Sequence, residues 1–75
     1  MIKLSMEKLH CPDIVLNLKT KVDTLTESDT ITLYTTDPLS PLDVKYLCFT
    51  RKDLEFISYE KENDKFIITI EYKYN

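Results

Sequence analysis

The chain has 75 residues, ten of them Lys or Arg and thirteen Asp or Glu, for a net charge of −3. That length reads as a single domain over 1–75, large enough to fold without metal or disulfide. The mixed, slightly acidic charge shows no block of like sign and argues against direct nucleic-acid binding, since such modules carry a basic excess. Glycine and alanine are both absent. No P-loop, dinucleotide fingerprint or other glycine-rich phosphate cradle is therefore present, because those need backbone conformations and close approaches that only glycine permits. Two cysteines are too few for the dense disulfide framework of a small secreted domain. With no signal peptide and no run approaching about 18 apolar residues, the expectation is a soluble cytoplasmic protein with no membrane association.

Ile2, Leu4 and Met6 alternate with Lys3, Ser5 and Glu7, the period of a strand with one buried face. Pro12 suits a first helical position and Asp13 places a negative charge where the helix dipole favours one. Ile14, Val15, Leu18, Val22 and Leu25 then fall on one helical stripe, which predicts a helix over about 12–24. Residues 30–36 are rich in β-branched and aromatic side chains and predict a second strand. Asp37-Pro38 ends it. Ser40 is placed to cap a second helix with Pro41 at its first position, and Val44, Leu47 and Cys48 form its apolar stripe to about Lys52.

Two further strands, Leu54 to Glu60 and Lys65 to Tyr74, are joined through Glu62-Asn63-Asp64-Lys65, where Asn and Asp supply the tolerance of positive φ that glycine usually provides. Phe66, Ile68, Ile70, Tyr72 and Tyr74 share one face of the last strand. The order strand, helix, strand, helix, strand, strand (βαβαββ) predicts an α/β (α+β) two-layer sandwich. Its four-stranded mixed sheet would carry two helices on one face.

The chemistry concentrates at Leu9-His10-Cys11-Pro12. A thiol at the start of a helix sits beside unpaired N–H groups and the positive end of the helix dipole, and both favour the thiolate. His10 can support that thiolate or stand as a surface histidine, since neighbours at a strand end point to opposite sides. Asp37 and Asp43 either serve the turn and the second helix start or contact a partner. Lys8, Lys19 and Lys21 could flank Cys11 and meet an acidic partner, or be solvated lysines. Cys48 reads as core, with a resolving or disulfide role as the alternative. Cys11, Cys48 and His10 lack the paired spacing of a zinc site, and no cofactor motif is present. A single histidine leaves no catalytic triad.

Together these residues resemble the TusA family of small sulfur carriers, whose Cys-Pro-x-Pro motif opens the first helix of such a fold. Leu4 and Leu9 stand where that family has leucines before its cysteine, Cys11-Pro12 is the first half of the motif, and Asp37-Pro38 with Asp43-Val44 matches the acidic, proline-containing approach to the second helix. Cys48 falls where some members carry a second cysteine. Ile14 replaces the second motif proline, Lys8 a glycine, and Ser5 an aspartate common in the family.

The resemblance implies a persulfide carrier, a monomer that acts as co-substrate more than as enzyme. Cys11 would take sulfane sulfur from a cysteine desulfurase and relay it to a downstream acceptor protein, a route that in the best-known members ends in tRNA thiolation. Two other readings stay open: a degenerate member serving as a binding or regulatory module, and a thiol-redox protein using both cysteines.

Overall fold

The computed structural model describes residues 1–10 and 12–74; Cys11 and Asn75 lie outside the described residues. Its elements are β1 (Ile2–Ser5), α1 (Asp13–Asp23), β2 (Asp29–Thr35), α2 (Ser40–Thr50), β3 (Leu54–Glu62) and β4 (Lys65–Tyr72). The strands form one sheet in the order β1-β2-β4-β3. β1 and β2 pair in parallel and β4 runs antiparallel to both its neighbours. The α+β architecture expected from the patterning is thus present, in the expected order.

The core forms where one face of the sheet meets the helices. Ile31 stands opposite Ile70 and Leu33 opposite Ile68, so four fully buried side chains line the middle of that face. Ile14, Leu18 and Val22 of α1 and Val44, Leu47 and Cys48 of α2 close over them in the same cluster. Fully burying one aliphatic side chain of this size is worth about 1.5–3 kcal/mol, so the apolar stripes hold both helices down. Val15 and Leu25 pack at the margin, half-buried. Arg51 locks the far end, donating to both carboxylate oxygens of Asp53 at 2.9 and 2.7 Å and reaching Asp23 at the end of α1 at 3.3 Å.

The structure shifts β2 by one residue, to Asp29–Thr35, and ends α2 at Thr50, two residues before the expected Lys52; four further element ends depart for reasons the structure shows. Pro12 precedes α1 as its N-cap, with φ −89° and ψ 1°, so the helix starts at Asp13. Ser40 lies inside α2, whose N-cap is Leu39, and its hydroxyl makes no capping bond. It turns inward instead, because the chain end of β2 offers a buried partner, Thr35. β3 runs two residues further than expected, and the hairpin turn shrinks to Asn63-Asp64, with Asn63 at φ 55°. β4 stops at Tyr72, and Tyr74 is exposed rather than sharing the inner face, since the backbone N–H of Tyr74 leaves the sheet to reach the Ser28 hydroxyl at 2.8 Å.

A bulge in β3 decides which residues face the helices. Phe56 pairs with Ile70 but Ser58 pairs with Thr69, so Ile57 is the extra residue. One residue inserted into a period-2 strand exchanges the faces of everything beyond it. Tyr59, opposite Ile68, and Lys61, opposite Phe66, therefore join Leu54 and Phe56 on the helix side. The Phe56 and Tyr59 rings meet with centroids 6.4 Å apart.

Candidate functional site

The segment before α1 is anchored on both sides of the candidate cysteine. The Met6 N–H donates to the Tyr34 carbonyl at 2.7 Å, the Leu9 N–H closes a turn onto the Met6 carbonyl at 3.1 Å, and the Thr36 hydroxyl donates to the Glu7 carbonyl at 2.8 Å. Leu9 packs against the core. The turn over residues 6–9 is thereby pinned to the end of β2, and the chain is delivered to His10 in a defined place. Cys11, the residue on which the sulfur-carrier reading turns, lies outside the described residues.

On its far side the first turn of α1 is tight. The His10 carbonyl accepts from the N–H groups of Asp13 at 2.7 Å and Ile14 at 3.3 Å, and the Pro12 carbonyl accepts from Leu16 at 3.1 Å. Pro12 has no N–H to offer. Two of the amides expected to serve a thiolate directly are thus engaged by His10. What this helix start contributes through them is its dipole field, equivalent to roughly half a positive charge.

The His10 side chain is 82% exposed and its Nδ1 lies 3.8 Å from Oδ2 of Asp37, a largely buried carboxylate. That distance is too long for a hydrogen bond and gives a weak ion pair only when the imidazole is protonated. Asp37 itself is well held. Its Oδ1 accepts from the Leu39 N–H at 2.9 Å, and its carbonyl accepts from the Ser40 N–H at 3.0 Å and the Ser40 hydroxyl at 2.7 Å. The Thr35 and Ser40 hydroxyls, both fully buried, bond to each other. Because a hydroxyl has one proton, and that of Ser40 goes to the Asp37 carbonyl, Thr35 must donate to Ser40.

Asp43 is placed elsewhere. It lines a groove of about 260 Å³ between α1 and α2 together with Pro12, Val15, Lys19, Tyr46, Leu47 and Thr50. On the opposite flank of α1 a wider groove of about 500 Å³ is walled by Lys3, Leu4, Leu9, Asn17 and Lys21, among others. Lys19 and Lys21 therefore serve different surfaces and do not form one basic patch. The structure brings His10 to Asp37, and Pro12 to Asp43 and Lys19. The Thr35–Ser40–Asp37 chain and the Tyr46 wall of the groove were missed by sequence reasoning; the outward apolar spacing of α2 was the available signal for Tyr46.

Cys48 is 7% exposed. Burial, helped by the negative charge of Asp53, pushes its thiol up to about 11, so at neutral pH it is a protonated core group and a poor nucleophile. Among the described residues no group of three or more His, Cys, Asp or Glu is disposed to hold a metal ion, and no helix is long and apolar enough to cross a membrane.

This fold and site define a small α+β scaffold that sets Pro12, the N-cap of α1, in a groove between α1 and α2, with His10 before it approaching a held carboxylate. The family described as "Sulfurtransferase TusA" matches over residues 2–72, and the chain belongs to that family of sulfur carriers. No curated protein matches the chain significantly.

Proposed function

We propose that this chain carries sulfane sulfur on Cys11. In the loading step the Cys11 thiolate attacks the terminal sulfur of a persulfide on a cysteine desulfurase. A sulfur–sulfur bond forms to Cys11, the donor's own sulfur–sulfur bond breaks, and the donor leaves as a thiolate. In delivery, a thiol of an acceptor protein attacks the outer sulfur in the same way and Cys11 returns as thiolate, so the chain is a co-substrate with no net redox change. Pro12 and the dipole of α1 favour the anionic forms. His10 stands near the helix start as an exposed side chain, and the Pro12, Asp43 and Tyr46 groove offers donor and acceptor a surface to engage in turn. A cytoplasmic setting, where thiols stay reduced, suits this cycle, and tRNA thiolation is one destination for the sulfur.

The observation that carries this reading is the family match over residues 2–72, supported by Pro12, the residue after Cys11 in the sequence, standing as the N-cap of α1. Its test is chemical. The reduced chain is exposed to inorganic polysulfide, desalted and treated with cyanide, which removes sulfane sulfur as thiocyanate. Wild type and Cys48→Ser should each release close to one equivalent, and Cys11→Ser none. Equal release from Cys11→Ser would overturn the assignment.

A second reading, a binding module without sulfur transfer, draws on the His10 carbonyl occupying the Asp13 and Ile14 amides and on Ile14 and Lys8 in place of the family's proline and glycine. It predicts partner binding unchanged in Cys11→Ser.

A further inference from the structure

The second helix is apolar on two opposite faces. Val44, Leu47 and Cys48 point into the core, while Leu39, Leu42, Tyr46 and Phe49 point out, with exposures of 60%, 67%, 69% and 87%. At about 100° per residue, these four fall within an arc of about 80° on the side away from the sheet. A helix that is hydrophobic all round ordinarily has both faces covered. Among the described residues nothing covers the outer one.

We infer that this stripe is a self-association surface, and that a second copy of the same chain occupies it through an isologous, antiparallel contact between the two α2 helices. Self-complementarity is the first argument. The stripe is symmetric about Val44, with Leu39 and Phe49 at its ends and Leu42 and Tyr46 between them. A twofold axis at Val44 therefore sets each leucine of one copy against an aromatic ring of the other, filling small against large as helix packing requires.

The crest of the stripe is also free of charge. Lys45 is drawn off it, its Nζ lying 6.0 Å over the Phe56 ring on the β3 side, and Asp43 lies in the groove toward α1 with Lys19. On either flank a groove receives the partner's ridge: Leu42, Lys45, Phe56 and Tyr59 line one, and Pro12, Val15 and Tyr46 wall the other, the groove proposed above for sulfur donor and acceptor, which the dimer would therefore cover and the monomer present.

The area is the second argument. At about 200 Å² for a fully exposed side chain of this size, the four residues leave about 600 Å² of apolar surface per copy, the upper end of what a monomer exposes. Two copies together would remove roughly 1,100 Å², more with the flanking grooves, which clears the roughly 1,000 Å² that a specific interface needs. The monomer expected from the sequence is replaced, in this inference, by a dimer in equilibrium with it.

Sedimentation equilibrium under reducing conditions tests this without contribution from a Cys11 disulfide. Over about 1 µM to about 1 mM, the mass should rise from 8.9 kDa toward twice that value. Phe49→Glu should raise the dimer dissociation constant about tenfold or more. Leu42→Lys with Tyr46→Lys should hold the chain monomeric, with the far-UV circular dichroism of both variants unchanged. Ile57→Lys, on the β3 bulge and off the stripe, should dimerise as wild type. A wild-type monomer throughout would overturn the inference and leave the stripe to a different protein. A dimer indifferent to Phe49→Glu would overturn it equally, by placing the contact elsewhere.

Discussion

Ser40→Ala removes one oxygen atom and should cost far more than its size suggests. The hydroxyl is fully buried, donates to the Asp37 carbonyl at 2.7 Å and accepts from Thr35. The Asp37 carbonyl keeps its second donor, the Ser40 N–H at 3.0 Å, so that loss is one ordinary hydrogen bond, about 1 kcal/mol. Thr35 fares worse. Its hydroxyl is fully buried and would have no acceptor, a penalty of about 1–3 kcal/mol. The sum, roughly 2–4 kcal/mol, is a large part of the roughly 4–11 kcal/mol typical of a chain this long, and corresponds to a fall in Tm of roughly 13–25 °C.

Thr35→Val keeps shape and removes the stranded donor, so Ser40→Ala combined with Thr35→Val should lose less than the two single changes added, with a coupling of about 1 kcal/mol or more. Urea denaturation of the four proteins, followed by circular dichroism, measures it. Additive losses, or a Ser40→Ala cost below about 0.5 kcal/mol, would refute the directional Thr35-to-Ser40-to-Asp37 chain.

Cys48 predicts a pH dependence on the alkaline side. Its thiol is raised from 9.0 to about 11 in the folded state, so between those values the unfolded chain has given up a proton that the native chain retains. Stability from this group is therefore full below pH 9 and is lost as pH rises through about 11, by roughly 2–3 kcal/mol in all. Denaturation of Cys48→Ala across the same range should lack that component; identical pH profiles would show the thiol to be solvated. For His10, whose side chain is 82% exposed, solvent screens its interactions, and His10→Ala should raise the midpoint of Cys11 alkylation against pH by no more than about 0.7 unit. A larger rise would make His10 a direct partner of the thiolate.

Alternating and helical periodicities in this chain carry long-range information because each matches one buried face. Ile14, Leu18 and Val22, and likewise Val44, Leu47 and Cys48, lie buried where their spacing puts them, and Asn63 takes the positive φ that the hairpin requires. Features that depend on how a turn folds side chains back on the core, even over five residues as for Thr35 and Ser40, were not legible. Ser40 has the residue type of a cap, yet the hydroxyl of Thr35 at the end of β2 competes for it and wins. The Ile57 bulge left only a faint sign, the change from Leu54 and Phe56 to Tyr59 and Lys61 on the inner face.

At the site, a helix opening next to Pro12 was readable because proline chemistry is local, although Pro12 proves to be the N-cap and not the first helical residue. The approach of His10 to Asp37, and of Pro12 to Asp43, depends on how α2 and β2 pack and could not be read from spacing. The outer stripe of α2 was legible in retrospect, but a helix apolar on both faces shows no amphipathic signal to mark either one.

The central claim is that Cys11 receives sulfur from a protein donor. Intact mass spectrometry after incubation with a cysteine desulfurase and cysteine, followed by mapping of the modified peptide, tests it most directly. The account predicts a gain of one sulfur atom in wild type and in Cys48→Ser, located on Cys11, reversed by reductant and absent from Cys11→Ser. No gain with any of several desulfurases, or a gain that persists in Cys11→Ser, would contradict it.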